Sequence, residues 1–595
     1  MCNSKNITMK KIHIITLTCI MVSILSFYSC KKDSFLNRYP VSSLTQENFF
    51  ANANDLQTYS NGFYSYLPGV TSLIFGDVQS DNTENFPFNK VVAGQLPLPS
   101  DASTAGWTWS YLKDVNYFLQ SYQKANATAA IKSHYAGVAR FFRAWFYFDK
   151  VKRFGDVPWY GSTILPNDIA NLYKARDPRQ LVMDSVMADL KYAANNINTT
   201  GPSGTITKWT ALALMARVGL HEGTFRQYQG IAGGGQSFLK TADSAALAVI
   251  QSNNFKLYTT GKPNQDYQNL FLFYTPTDPQ NAEVILGYYY SNSLHVYSAA
   301  DAAIRSDGMG MTKDCMNNYL TSNGTPFTGV AGYDTMMIKG EFKNRDPRLM
   351  QTVLPPTTLA YGDMFGPSTL GKSKTGYYLF KYFDPNALAY DSNTNAGIDF
   401  RYAEILLIYA EAKAELANAG SGSFTQTDLD MSVNLLRDRV SMPHLLMSVP
   451  VDPVLAASYS NVSGSLQNVL LEIRRERRVE LAGEGFRYDD LMRWKNGALM
   501  AKPFLGMYFP SIGIFDMNGD GIPDIGLVTS LPATPIGTVA YYVVGTDVFL
   551  SHGTYGNVVV NPTLIKTFTD PKNYYFPLPT TELLLNKNLK QNPGW

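Results

Sequence analysis

The sequence predicts a mostly α-helical protein with irregular, loop-rich insertions and small β segments. Apolar residues recur at intervals of three and four along several segments in the first and last parts of the chain, which is the period of an amphipathic helix. Between these segments, residues 253–398 are rich in Tyr, Asn, Gly, Ser and Thr and hold only short apolar runs. This contrast predicts an N-terminal helical part (45–252), an irregular part (253–398) and a C-terminal helical part with a loop and strand extension (399–595).

The composition supplies material for a large core and argues against several functional classes. The 595 residues are 45% hydrophobic and only 16% charged, which is typical of a globular rather than a disordered protein. The formal net charge of +2 gives no electrostatic reason to expect nucleic acid as a partner. Aromatic residues make up 13% of the chain, an excess that a buried core and a ligand site would both explain.

The N-terminus has the features of an export signal. Lysines at the start precede an apolar stretch, Ile12–Phe27, which is short for a membrane span and suits a signal-peptide core. Cys30 follows a small residue and resembles a lipoprotein processing site, so we expect residues 1–29 to be removed, Cys30 to be lipidated and residues 30–44 to form a tether. With Cys30 lipidated, Cys315 is the only remaining thiol and cannot form an intramolecular disulfide. The alternative is an ordinary cleaved signal peptide followed by a chance cysteine.

The N-terminal part contains a series of predicted helices. They start near Thr45 and extend over residues 108–126, 132–153, 178–197, 207–226 and 237–252. The helix at 132–153 carries aromatic rings on several faces, so we expect it to be buried on more than one side. Lys208–Leu220 is rich in small residues, which let a neighbouring helix approach closely, and we therefore expect paired helices here.

The irregular part, 253–398, is predicted to carry the ligand site, because long irregular segments in compact proteins are often binding surfaces. One strand is expected within it, at Val284–Tyr290. In the C-terminal part, Asp399 is expected to cap the first helix. The elements predicted there are helices at 399–419, 427–440, 463–482 and 486–494 and a strand at Val539–Val544.

Six segments together carry a resemblance to a known family. They are CKKDSFLNRYPVSSLTQENFF (Cys30–Phe50), RFFRAWFYFDKVKRFGDVPWY (Arg140–Tyr160), Lys208–Leu220, DFRYAEILLIYAEAKAEL (Asp399–Leu416), RRERRVELAGEGFRYDDLMRW (Arg474–Trp494) and QNPGW (Gln591–Trp595). In their order and spacing they resemble the SusD/RagB family of outer-membrane nutrient-binding lipoproteins. The resemblance spans nearly the whole chain, and Arg474–Trp494 is its most specific segment.

The resemblance implies a core of tetratricopeptide-like helix pairs, in which residues 45–252 and 399–595 pack as one SusD-like unit. It implies a lipoprotein of the cell outer membrane that faces the cell exterior, with acyl chains such as palmitate on Cys30. The implied partners are an oligosaccharide ligand and a SusC-like TonB-dependent transporter, to which the protein delivers nutrient without catalysis during polysaccharide utilization. The alternatives are a binding protein for peptide or another non-sugar nutrient, an extracellular glycosidase, and a structural adhesin or lid protein.

Sugar recognition calls for exposed rings beside polar side chains, because aromatic planes pack on the apolar faces of pyranoses while amides bond the hydroxyls. The loops at 75–110 and 253–398 contain such combinations. We predict Phe86, Trp107 and Tyr297 as ring platforms and Asn82 as a polar partner.

Catalysis is not predicted. The sequence lacks the HExxH zinc pattern, the G-x-S-x-G nucleophile elbow and a phosphate-binding loop, and no cofactor is required. Four carboxylates near Arg474–Trp494 invite an enzymatic interpretation, but ion pairing along and between helices is the ordinary explanation, with Glu472–Arg475 and Arg477–Glu480 at i,i+3 spacing. These carboxylates are Glu480, Glu484, Asp489 and Asp490.

One loop matches the front of a calcium-binding loop. Asp516, Asn518, Asp520 and Asp524 stand at positions 1, 3, 5 and 9, with a glycine at position 6 for the sharp turn. Position 12 is Leu527, so the bidentate glutamate is missing. The sequence therefore predicts a possible structural calcium site, and the alternative is a polar turn without metal.

Overall fold

The computed structural model describes residues 49–84, 88–294, 296–298, 304, 308–358, 370, 373–384 and 393–595. Across these residues the protein is mostly helical, with short strands between and after the helices, which confirms the predicted fold class. The predicted signal peptide, Cys30, the tether and Phe86 lie outside the described residues.

The N-terminal helices agree with the sequence prediction to within a few residues at most ends. They are α1 (Ala53–Asn61), α2 (Val70–Asp77), α3 (Ala102–Ala105), α4 (Ser110–Ser121), α5 (Ala129–Phe154), α6 (Ile169–Leu172), α7 (Arg179–Asn196), α8 (Lys208–Gln229) and α9 (Gly235–Gln251). The Thr128 hydroxyl caps α5 by accepting from the Ile131 amide, and Gly155, with φ at 73°, ends it. Helix α5 buries rings around its circumference, as expected, among them Phe141, Phe142, Trp145 and Phe146.

Helices α8 and α9 form the close pair that the small residues predict. A Cβ built on Gly219 would lie 2.8 Å from the carbonyl oxygen of Phe238 and 2.9 Å from the amide nitrogen of Ala242. Since real Cβ contacts are not that short, only glycine allows this backbone approach.

The remaining elements are short in the middle of the chain and longer again after residue 400. The helices are α10 (Asp266–Asn269), α11 (Lys313–Asn318), α12 (Ile338–Glu341), α13 (Arg348–Thr352), α14 (Tyr402–Asn418), α15 (Gln426–Asp430), α16 (Val433–Arg439), α17 (Pro453–Ser458), α18 (Gln467–Glu480), α19 (Arg487–Arg493) and α20 (Thr580–Leu585). The strands are β1 (Thr83–Glu84), β2 (Val284–Tyr288), β3 (Gly310–Met311), β4 (Gly397–Arg401), β5 (Leu505–Phe509), β6 (Gly513–Phe515), β7 (Ile525–Val528), β8 (Ala540–Val543) and β9 (Gly556–Val559).

Sheet pairings join distant parts of the chain. Strands β1 and β3, β2 and β4, and β5 and β9 form antiparallel pairs, while β6, β7 and β8 form a three-stranded sheet. The predicted strands at 284–290 and 539–544 correspond to β2 and β8.

Two expectations for the C-terminal helices are wrong. Asp399 does not cap a helix but lies in β4, because residues 397–401 pair with β2, and α14 begins only at Tyr402. The helix predicted at 427–440 is two helices, α15 and α16, separated at Met431 and Ser432, where the Ser432 hydroxyl donates to the carbonyl of Asp428.

The N- and C-terminal helices share a core. Ile405, Tyr409 and Ala412 of α14 belong to the same buried cluster as Leu239 and Ala242 of α9. The division of the chain at residues 252 and 398 stays a prediction. Among the described residues, no helix combines the length and the apolar character needed to cross a bilayer.

Candidate functional site

Two of the predicted sugar contacts are buried inside the protein. Asn82 is 1% exposed, its side-chain oxygen accepts from the Nε of Arg478 at 2.8 Å, and its amide donates to Asp77 at 3.2 Å. Trp107 is 3% exposed, and its ring meets that of Phe154 edge-on at 4.9 Å. Both predictions are wrong, because internal partners occupy the Asn82 amide and core packing covers the Trp107 ring.

Tyr297 is partly buried within the short described stretch 296–298. The next residue, Ser298, is held on both sides: its amide donates to the carbonyl of Asn393 at 2.8 Å, and its carbonyl accepts from the hydroxyl of Thr71 at 3.3 Å. The role of Tyr297 as a ring platform stays a prediction, and Phe86 is outside the described residues.

The most family-like segment forms a buried charge cluster around Glu480. Its carboxylate accepts from Arg439 at 2.7 Å, from Arg401 at 2.7 Å and from Arg348 at 3.0 Å. Burial opposes the ionised form, but these three guanidinium groups together hold the pKa of Glu480 well below its ordinary value. The expected Arg477–Glu480 pair is therefore wrong, and Arg477 instead pairs with the carboxylate of Asp490 at 2.9 Å.

The other carboxylates of this segment also have cationic partners. Glu484 accepts from Arg401 and Lys381 at 2.7 and 2.6 Å, and Asp489 accepts from Lys152 at 2.7 Å. The predicted Glu472–Arg475 pair is confirmed, with 3.2 Å between its charged atoms. These groups link elements of the fold, as the ion-pairing interpretation predicts.

A cavity of about 530 Å³ opens where four distant stretches of the chain meet, and we call it the Asp314 basin. Asp314 and Asn317 stand one turn apart on α11, so both project from the same face. The opposite wall comes from the segment that leads into β5. The lining residues that matter below are Asp314, Asn317, Leu499, Lys502, Phe504 and Ser551.

A smaller cavity of about 150 Å³ lies on the other side of the rim formed by Asp314, Asn317 and Leu499. It is lined by Tyr333 and Ser458 among others. Because these rim residues belong to both cavities, the two form one surface divided by α11 and Leu499.

Polar groups lie at the wall of the basin and behind it. The Oδ1 of Asn317 is buried away from solvent and has no hydrogen-bond partner among the described residues. The side chain of Asp314 is 58% exposed, although its Oδ2 accepts from Arg478 at 2.6 Å. Below the wall, the Nζ of Lys566 lies 2.9 Å from the centroid of the Phe504 ring, also without a hydrogen bond in the described structure, and burial lowers the pKa of Lys566 to about 7.

Such a surface suits a ligand rich in hydroxyl groups. A sugar hydroxyl can donate to the exposed Asp314 carboxylate while accepting from Lys502 or Ser551. The apolar part of the wall, Leu499 and Phe504, can cover a sugar's C–H face.

The predicted calcium loop has its carboxylates turned toward its own backbone. Asp516 accepts from the amides of Gly519 and Gly521, and Asp524 accepts from the amide of Met517 at 2.7 Å. A Cβ on Gly519 would overlap the Nζ of Lys339, so an ammonium group already lies against the loop. Within the described residues, no three His, Cys, Asp or Glu side chains are grouped as metal ligands. Calcium at this loop stays a prediction.

The sequence offered little signal for the basin. Asn317 and Asp314 belong to a six-residue helix without a recognisable motif, and Lys566 is an ordinary lysine in a loop. The one useful signal was the polar, asparagine-rich character of residues 253–398, which includes α11.

Comparisons with known proteins agree with this architecture. A sequence model of the SusD family matches residues 281–595, which include most of the basin. "SusD-like protein P2" of Formosa agariphila is 25% identical over 508 residues, covering 80% of this chain and 90% of that protein, and "SusD-like protein P38" of the same organism is 24% identical over 520 residues, covering 84% and 95%.

Solved structures show the same fold. A SusD-like protein of Bacteroides fragilis aligns with a TM-score of 0.68 at 21% identity, covering 94% of this chain and 100% of that one. A SusD-like carbohydrate binding protein of the same species aligns with a TM-score of 0.67 at 21% identity, covering 91% and 100%.

Proposed function

The chain belongs to the SusD family, and from this membership we propose that it is a cell-surface lipoprotein that binds an oligosaccharide. It delivers this ligand to a SusC-like TonB-dependent transporter of the outer membrane and catalyses no reaction. The observation that carries the proposal beyond the family is the Asp314 basin, where the exposed carboxylate of Asp314 stands beside polar side chains and an apolar wall. A structural neighbour that is named as carbohydrate binding supports the ligand class.

The basin would hold the sugar by direct hydrogen bonds and partial desolvation. The side-chain amide nitrogen of Asn317 would donate to one hydroxyl, and the exposed part of the Asp314 carboxylate would accept from another. Lys502 and Ser551 supply donors on the facing wall. Since the family delivers ligand onward, a site of modest enclosure, open to solvent on one side, fits release better than a closed pocket.

The anchoring proposal depends on the N-terminal sequence. Acyl chains on Cys30 would hold the protein at the outer membrane, and residues 30–44 would connect this anchor to the rest of the chain. Replacing Cys30 with Ser should release the protein from the membrane fraction without changing ligand affinity. Retention of this variant in the outer membrane would contradict lipid anchoring at Cys30.

The experiment that tests ligand binding uses soluble protein that lacks residues 1–30. A glycan array identifies the oligosaccharide, and calorimetry then compares the wild type with Asn317→Ala and with Asn167→Ala, an exposed asparagine that does not line the basin. Loss of one hydrogen bond from the Asn317 amide should weaken binding by about tenfold, while Asn167→Ala should bind as the wild type does. Absence of binding to any glycan, with binding to peptide pools instead, would replace the sugar proposal by the peptide alternative. Release of shortened sugars would favour the glycosidase.

A further inference from the structure

A second groove on the N-terminal helices has the chemistry of a sugar site, and we propose that it binds neutral saccharide units separately from the Asp314 basin. The groove is about 360 Å³ in volume and lies between α1, the first turns of α5 and the loop at 198–206. The inference rests on the proposed glycan-binding function and adds a site and a ligand class to it. We call this cavity the α1 groove.

The α1 groove is uncharged. None of the described residues that line it is Asp, Glu, Lys or Arg, although such residues make up 16% of the chain. A charged ligand would lose water here without gaining a counter-charge, which is unfavourable. A neutral, hydroxyl-rich ligand loses less on entry and can recover its hydrogen bonds from amides.

Three side-chain amides form a row on one face of α1. Asn54, Gln57 and Asn61 are spaced i, i+3 and i+7, so they follow one another along the groove. All three are exposed, and their side-chain amides make no hydrogen bond to any described residue. Each amide offers both donors and an acceptor, which matches the paired donor and acceptor character of sugar hydroxyls.

The opposite wall supplies rings that the fold holds in place. Tyr135 is partly buried and meets the His134 ring edge-on at 4.8 Å. The Tyr64 hydroxyl accepts from the amide of Ile206 at 2.8 Å, which fixes that ring beside the groove. Rings held rigidly lose little conformational entropy when a sugar packs on them.

His134 adds a defined donor. Its Nδ1 accepts from the amide of Asn198 at 3.2 Å, so the proton of the neutral ring is on Nε2. Burial lowers the pKa of His134, so the ring is neutral at pH 7 and the groove keeps its uncharged character.

The volume is suitable for a short saccharide segment. At about 360 Å³ the α1 groove falls in the range of roughly 300–1,000 Å³ that small-molecule sites occupy. An amide row on one wall and rings on the other give a two-sided cleft, in which hydroxyl edges face α1 and a C–H face meets Tyr135.

The test uses the soluble chain that lacks residues 1–30 and three groove variants. The amide variant, Gln57→Ala combined with Asn61→Ala, removes two exposed amides and leaves the core untouched. Tyr135→Ala removes a ring, and Tyr135→Phe keeps it. The matched control is Thr58→Ala, an exposed residue of the same helix that does not line the groove. Calorimetry and crystal soaks use maltoheptaose, xylohexaose and mannohexaose, with tetragalacturonate as the charged comparison.

We expect the amide variant and Tyr135→Ala each to lower the affinity for at least one neutral oligosaccharide by about tenfold, or to remove one of two binding events. Tyr135→Phe and Thr58→Ala should bind as the wild type does, and a soaked sugar should occupy the groove. If the amide variant keeps wild-type affinity for every sugar while Asn317→Ala loses it, the groove inference is overturned and the proposed function stands. Equal binding of tetragalacturonate in the groove would also overturn it. A wild type that binds no glycan removes the proposed function itself.

Discussion

Replacing Asp399 with Asn should stabilise the protein, increasingly so as the pH rises from 4 to 8. Asp399 is 3% exposed in β4, and its carboxylate lies beside the hydroxyl of Tyr288, with no charged donor bonded to it among the described residues. Burial raises the pKa of this carboxyl from 3.8 to about 8, although Arg217 and the nearby Tyr288 favour the ionised form. The Arg217 guanidinium is occupied elsewhere, since it donates to the carbonyl oxygen of Asp399 and to the carboxylate of Glu404, both at 2.7 Å.

The direction in which pH changes the stability follows from the protons that the folded and unfolded states bind. Between pH 3.8 and about 8 the folded protein keeps a proton on Asp399 that the unfolded chain releases, so rising pH favours unfolding through this group. The loss is at most about 1.4 kcal/mol per pH unit, and it stops once the pH exceeds the folded pKa. Asparagine occupies the same volume, carries no ionisable proton and has no such loss.

Urea unfolding of the wild type and Asp399→Asn at pH 5, 6, 7, 8 and 9 measures this difference. All other titrating groups are common to both proteins, so their contribution cancels in the comparison. The control is Asp184→Asn, which makes the same chemical change at an exposed carboxylate of α7. Parallel stability curves for the wild type and Asp399→Asn from pH 5 to 8 would refute the reasoning, because they would mean that the carboxyl is ionised and solvated in the folded state.

Three further predictions concern the core and the acidic loop. Glu480→Gln leaves three buried arginines without their shared carboxylate and should lower the free energy of unfolding by about 3–5 kcal/mol. Urea denaturation measures this loss, and a value below about 1 kcal/mol would contradict the stabilising role of the cluster. Gly219→Val should separate α8 from α9 and lower the melting temperature, whereas Gly62→Val, at a position with open space around it and a helical φ of -62°, should cost less; equal effects would contradict the close packing. In a calorimetric titration, calcium should release or absorb heat on binding to the wild type and show no binding to Asp520→Ala. If neither protein binds calcium, the loop at 516–524 is not a calcium site.

The helical framework could be predicted from the sequence because its signals are local. The period of apolar residues in 132–153 and 207–226 and the small residues around Gly219 each report on one helix or one close contact. The placement of Asp399 in β4 could not be predicted in this way. Its strand forms only because residues 284–288, more than a hundred positions earlier, pair with it.

The ligand residues were harder to predict for a related reason. A tryptophan in a polar loop looks the same in sequence whether it faces solvent or covers a core, and Trp107 covers the core through Phe154. Asn82 likewise matches a sugar contact in residue type, but Arg478 reaches it across 396 positions of sequence. Burial and hydrogen-bond saturation are tertiary properties, so residue type alone predicted the chemistry of a site and not its location.

The buried charges show how the most recognisable segment of the chain holds the fold together. Glu480 joins α18 to α13, β4 and α16 through Arg348, Arg401 and Arg439. A buried carboxylate with three cationic partners tolerates few substitutions, because removal of one partner leaves uncompensated charge in the interior. Substitution of Glu480 would therefore disturb the contacts between α18 and three other elements of the fold.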